Sequence, residues 1–138
     1  MGHSRRLVLS GISLTVARTN RQTLKVLKEV RETLEGALDG AHFMAGAPFR
    51  WIGLSLRYGL KNEPVPHYLP IDEKDGELPI AIEMDTHELR RASYERLLER
   101  HTRAVLIALI HVGKRYDRPT DRLISMLEDL DVGGGDGS

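Results

Sequence analysis

The chain has 138 residues, the length of one domain, and its 41% hydrophobic and 29% charged residues are typical of a folded globular protein. It contains no cysteine, which excludes disulfides, thiolate zinc sites and a cysteine nucleophile and fits a reducing cytoplasm best. The longest apolar run, residues 104–110, is far shorter than the roughly twenty residues of a membrane span, and no signal-peptide pattern follows the initial Met. We therefore expect a single cytoplasmic domain with no membrane contact.

The formal net charge of zero conceals an uneven distribution of charge along the chain. Residues 61–88 contain two basic and eight acidic residues, whereas residues 1–60 and residues 89–122 each contain nine basic and four acidic ones. Opposite charges on neighbouring segments create a field that attracts a complementary partner. In a chain without an evident catalytic motif, this favours recognition over chemistry.

The N-terminal part of the chain predicts a strand, a helix and a second strand. Residues 6–18 alternate like a strand whose apolar phase changes at a Ser-Gly pair, a pattern typical of a β-bulge. Leucine and valine recur every three or four residues over 24–38 and predict an amphipathic helix. Residues 51–58 alternate again and predict the second strand.

Two further strands are expected after this point. Prolines surround residues 67–72 and remove ladder donors, so a third strand there would be irregular or at an edge. Asp75-Gly76 is a hairpin signal that leads into a fourth strand, residues 78–84. We expect strands two, three and four to form an antiparallel meander.

The C-terminal part predicts helices. Residues 86–116 have helical periodicity with a break at Ser93, and the apolar second half of this stretch predicts a helix that begins in solvent and ends in the core. A last helix begins at Pro119, and the glycine-rich residues 133–138 are expected to form a flexible tail. The predicted order is β-α-β-β-β-α-α, an α+β fold in which a small antiparallel sheet of about four strands packs against helices in one domain, residues 1–132.

A small group of polar side chains could support catalysis or bind a metal. Glu83 and Asp85 share one face of the fourth predicted strand, and His67 and His87 flank that strand in sequence. Paired carboxylates can act as acid and base, and histidines with carboxylates can hold zinc. The alternative, a solvated strand face with surface histidines, needs no ligand. No nucleophile motif, phosphate loop or cofactor motif accompanies the group, so we expect neither an enzyme nor a bound cofactor.

A stripe of arginines on the long predicted helix could contact phosphates. It consists of Arg90, Arg91, Arg96, Arg100 and Arg103. The interleaved acids Glu95 and Glu99 weaken its field, and the net charge of the chain is zero. Direct binding of nucleic acid is therefore not expected.

The acidic segment, residues 61–77, is the remaining candidate surface. Aromatic anchors surrounded by complementary charge are typical of protein interfaces. An acidic hairpin that merely keeps an edge strand from aggregating would have the same composition, and the residues alone favour neither interpretation. The candidate partner-binding residues are Trp51, Arg57, Lys61, Glu63, His67, Tyr68, Asp72, Glu73, Asp75 and Glu77.

Three stretches carry a family resemblance. They are WIGLSLRYGLKNEPVPHY at 51–68, DGELPIAIEMD at 75–85 and AVLIALIHVGKRY at 104–116. They resemble a family of bacterial immunity proteins that accompany polymorphic toxins of competition systems, the family numbered thirty-nine in that series. The resemblance covers roughly residues 48–119 and is most specific at 57–61, 63–68 and 76–83.

The resemblance implies a small cytoplasmic protein without catalytic activity, which binds the C-terminal domain of a cognate toxin and blocks it. Many toxins of these systems are nucleases with basic substrate grooves, so the acidic segment could enter such a groove as a phosphate mimic. The leading alternative is a small enzyme or metal-binding protein that uses Glu83, Asp85, His67 or His87.

Overall fold

The structure, a computed structural model, describes residues 5–9, 12–16, 21–38, 52–58, 77–82, 84 and 86–136. Its elements follow the order β1 (Arg5–Leu9), β2 (Ile12–Val16), α1 (Arg21–Glu35), β3 (Ile52–Tyr58), β4 (Glu77–Ile82), α2 (Thr86–Arg91), α3 (Tyr94–Arg115) and α4 (Asp121–Asp136).

The four strands form one mixed sheet in the order β1-β2-β3-β4. β1 and β2 pair antiparallel, with Leu9 opposite Ile12. β2 and β3 pair parallel, with Leu14 opposite Leu54, and β3 and β4 also pair parallel, with Leu56 opposite Ile80. β3 is therefore a central strand with a parallel neighbour on each side.

The predicted antiparallel sheet is wrong, and so is the predicted β-α-β-β-β-α-α order. α1 joins β2 to β3, and a connection through a helix returns the chain to the same edge of the sheet, which makes the two strands parallel. Residues 59–76 join β3 to β4 and are also numerous enough for a parallel crossover. The predicted third strand, residues 67–72, and the predicted turn at Asp75-Gly76 lie outside the described residues.

The predicted single first strand is also corrected. Two strands, β1 and β2, replace it, and the register leaves only residues 10–11 between the paired Leu9 and Ile12. The change of apolar phase at the Ser-Gly pair therefore falls between two antiparallel strands and does not mark a bulge within one strand.

The core lies between one face of the sheet and the helices α1 and α3. Both helices contact the sheet and each other, so they lie side by side on that face. Alternate strand residues line it because successive side chains of a strand point to opposite faces. The fully buried strand residues include Ile12, Leu14, Val16, Ile52, Leu54 and Leu56. From the helices, Val26, Leu27, Val30, Leu34, Val105, Leu106 and Leu109 are fully buried against them.

The predicted helices are confirmed. Ser93 separates α2 from α3 and caps α3, since its side-chain oxygen accepts a hydrogen bond from the backbone N–H of Arg96 at 3.2 Å. α3 begins with exposed and half-buried residues and becomes buried in its second half. α4 packs against α3, and its Leu123 is buried. Its described helix continues to Asp136, into the glycine-rich end of the chain; the domain limits 1–132 and a flexible tail stay predictions.

Candidate functional site

At the carboxyl end of β3 a polar side chain of the sheet meets one of α3. β2, β3 and β4 are parallel, so their carboxyl ends, Val16, Tyr58 and Ile82, lie at one edge of the sheet. Such edges are the usual ligand sites of open parallel sheets. Tyr58 continues the face of Leu54 and Leu56, and this places its half-buried ring beneath the helices.

A hydrogen-bonded network, Tyr58–His101–Leu97, connects this strand end to α3. The Tyr58 hydroxyl oxygen lies 2.7 Å from Nε2 of His101, and the two rings meet edge to face with centroids 5.7 Å apart. Nδ1 of His101 lies 2.6 Å from the carbonyl oxygen of Leu97, one turn earlier in α3. Because a carbonyl can only accept, Nδ1 carries the proton and Nε2 accepts from the Tyr58 hydroxyl. The network thus fixes one neutral tautomer of the imidazole.

Burial keeps the network uncharged. His101 has no exposed surface, and this burial lowers its pKa below the ordinary 6.5, opposed by the hydrogen bond to Leu97. Burial also raises the pKa of Tyr58 to about 12, an effect that the Thr23 side chain opposes. The imidazole of His101 has no access to solvent and cannot meet a substrate, so the network is suited to fixing structure.

A second contact joins the beginning of α3 to α1. The Tyr94 hydroxyl donates a hydrogen bond to a Glu29 carboxylate oxygen at 2.8 Å and lies 3.4 Å from the carbonyl oxygen of Lys25. The bond to Glu29 is the main reason that the pKa of Tyr94 is raised. α1 is therefore tied to α3 at the helix surface by Tyr94.

The predicted arginine stripe divides into two parts. Arg103 contacts Glu99 at 2.8 Å and also bonds Asp131 on α4, and Arg100 lies 3.9 Å from Glu99. Arg103 thus joins α3 to α4, and both arginines face acids within the molecule, which weakens their attraction for phosphates. The remaining members, Arg90, Arg91 and Arg96, are exposed on α2 and the first turn of α3.

Only two of the predicted partner-binding residues fall within the described chain. Arg57 pairs with Ala81 near the carboxyl end of β3, while Glu77 begins β4 opposite Gly53. Since Gly53 and Arg57 are four residues apart in one strand, the backbones of the two predicted residues are separated by about 13 Å along the sheet. The others lie outside the described residues: Trp51, Lys61, Glu63, His67, Tyr68, Asp72, Glu73 and Asp75.

Most members of the predicted acid–base or metal-binding group also lie outside the described residues. His87 is exposed on α2, whereas His67, Glu83 and Asp85 are not among the described residues. Within the part of the chain that is described, no three His, Asp or Glu side chains are grouped closely enough to hold a metal ion. None of the helices in this same part is both long and apolar enough to cross a membrane.

The Tyr58–His101–Leu97 network was not predicted from the sequence, although His101 is fully buried. A signal was present, because His101 stands four residues from both Leu97 and Val105 on the buried side of α3. Its partner Tyr58 is 43 residues away, and no local pattern could identify it.

One comparison with known proteins identifies a family. The family model described as Immunity protein 39 matches residues 1–128. This confirms the resemblance found in the sequence and extends it to the N-terminal hairpin and α1. No curated protein and no solved structure gives a significant match to the chain.

Proposed function

The chain belongs to the immunity protein 39 family, and from that premise we propose that it binds and neutralises the C-terminal domain of a cognate polymorphic toxin. The match over residues 1–128 is the observation that carries the proposal. Neutralisation takes place by binding in the cytoplasm and requires neither a cofactor nor catalysis by this chain.

The chemistry of the carboxyl end of β3 supports a binding role. In parallel sheets this edge commonly carries a ligand or catalytic groups. Here Tyr58 and His101 already form hydrogen bonds within the molecule, and His101 is both neutral and fully buried. The best-placed titratable residues of the described chain therefore stabilise the molecule, and the partner contacts fall to side chains outside the core.

The proposed partner surface is the acidic segment together with residues at both ends of β3. The chain leaves β3 after Tyr58 and enters β4 at Glu77, so residues 59–76 connect the two ends of the central strands. Trp51 directly precedes β3, and Arg57 lies near its other end. Acidic side chains around aromatic anchors would accelerate encounter with a basic toxin groove and specify its orientation.

Co-expression tests the proposed function. The C-terminal domain of a toxin encoded immediately upstream is expressed with and without this chain, and host growth and co-purification are measured. Restored growth with a stable complex is the expected result. Toxicity that persists at full expression of this chain would contradict the proposal and favour the enzyme or metal-binding alternative, which a metal analysis of the purified protein would then examine.

Charge reversal tests the acidic segment. Asp72, Glu73, Asp75 and Glu77 are replaced together by lysine, and we expect affinity for the toxin domain to fall at least tenfold because each close charge pair in an interface contributes more than 1 kcal/mol. The matched control makes the same change of charge at exposed helical acids, Glu32, Glu35, Glu128 and Asp129. Equal affinities of the two variants would show that the acidic segment is not the contact surface.

A further inference from the structure

The carboxyl end of β3 is held more firmly than a strand end requires. Tyr58, the last residue of β3, bonds His101 of α3 at 2.7 Å. A strand end that is fixed only by its ladder hydrogen bonds frays. Here the tyrosine hydroxyl also ties the end of the central strand to a helix that covers the sheet.

The hydrogen bonds of the network have a fixed order of donors and acceptors, so each member depends on the others. The Leu97 carbonyl fixes the His101 tautomer, which makes Nε2 an acceptor and orients the Tyr58 hydroxyl toward it. His101 has no exposed surface, so loss of either of its partners leaves a buried polar atom unpaired.

The position of Tyr58 places the network next to a proposed partner-binding residue. Arg57, a proposed partner-binding residue, is its neighbour in β3, and the chain enters the acidic segment three residues after it. We infer that Tyr58 and His101 are positioning residues: they hold the end of β3, and with it the backbone of Arg57, in the arrangement that the toxin domain recognises. This role rests on the proposed immunity function, because it assigns to the network the placement of a proposed partner-binding residue.

Substitutions that separate shape from hydrogen bonding test this role. Tyr58→Phe retains the ring but removes the donor to His101. His101→Leu removes the acceptor, whereas His101→Gln places an amide oxygen near the former Nε2 position and preserves an acceptor for Tyr58. We expect Tyr58→Phe and His101→Leu to raise the dissociation rate of the toxin-domain complex about tenfold, as one unpaired buried group would, and His101→Gln to restore it to near the wild-type value.

A matched control removes the contribution of general stability. Leu123→Ala truncates a buried side chain of α4, which packs on α3, and lowers the unfolding temperature without touching the network. It should leave the dissociation rate within about twofold of wild type, because destabilisation alone does not change a pre-formed surface. A rate for Leu123→Ala that rises as much as that of Tyr58→Phe would overturn the positioning role.

Hydrogen exchange keeps this test independent of the toxin. Amide exchange at residues 55–58 should accelerate about tenfold in Tyr58→Phe relative to exchange in α4, and His101→Gln should reverse most of this change. If wild-type protein fails to bind the toxin domain, the proposed function is refuted, while exchange at the end of β3 still shows whether the network fixes that end. Unchanged exchange there would refute the positioning role even where the toxin binds.

Discussion

Asp117 is a position where a single substitution is expected to stabilise the protein. It follows α3 with a φ of 58°, in the left-handed region that favours glycine. The N–H of Arg118 donates to the Gly113 carbonyl at 2.7 Å, and the N–H of Asp117 donates to the Lys114 carbonyl at 3.3 Å. This pair of bonds is the Schellman arrangement, in which the left-handed residue is usually glycine.

The magnitude follows from three contributions to the free energy of unfolding. The left-handed conformation costs a residue with a side chain about 1 kcal/mol, and a carboxylate at the negative end of a helix costs about 0.3–1 kcal/mol. Glycine removes both of these costs, but it lowers the free energy of unfolding by about 0.5–1 kcal/mol because the unfolded chain gains conformational freedom. Asp117→Gly should therefore stabilise the protein by about 0.5–1 kcal/mol, or raise the unfolding temperature by about 2–4 °C.

Urea and thermal unfolding of three variants separate these contributions. Asp117→Asn removes the charge and retains a side chain that tolerates the left-handed region, so it should stabilise by a few tenths of a kcal/mol. Asp117→Ala removes the same charge but tolerates that conformation poorly, and its stability should not exceed that of wild type. An alanine variant more stable than the glycine variant would show that the backbone conformation at this position carries no cost.

Two further predictions concern the core. Since the pKa of His101 is lowered in the folded state, the unfolded state binds the proton more readily. The stability that the neutral imidazole contributes is therefore complete above pH 6.5 and is lost as the pH falls below it, with a slope of up to about 1.4 kcal/mol per pH unit. In urea titrations at a series of pH values, His101→Gln should flatten the dependence of unfolding free energy on pH by that amount. Leu54→Ala, which empties a fully buried position in central strand β3, should lower the free energy of unfolding by about 2–5 kcal/mol, and a loss below 1 kcal/mol would contradict the placement of this side chain in the core.

The helices could be predicted from the sequence because their signals are local. Ser93 interrupts a periodic stretch and does cap α3, and the apolar second half of that helix is buried as expected. The spacing of Leu27, Val30 and Leu34 likewise identified the face of α1 that packs on the sheet. In each case the information lies within a few turns of chain, where side-chain spacing and capping decide the outcome.

The sheet could not be predicted in the same way because strand direction is not a local property. Ile52, Leu54 and Leu56 alternate with small or polar residues, a pattern more typical of an antiparallel strand that is buried on one face. Strands buried on both faces of a parallel sheet usually read as continuous apolar runs. The alternation correctly gave the buried face of β3, but the direction of its neighbours depends on where the long connections return the chain.

The same distinction explains why the central polar contact escaped prediction while the family did not. A family is recognised from many positions at once, and the match extends across residues 1–128. The Tyr58–His101 bond is a single long-range contact that exists only when β3 lies beneath α3. β2 and α1 make the same point from the N-terminal side: they added little to the local resemblance, yet β2 completes the pairing of β3 and α1 packs against α3. The position of β3, and with it the backbone of Arg57, therefore depends on parts of the chain that carry none of the predicted contact residues.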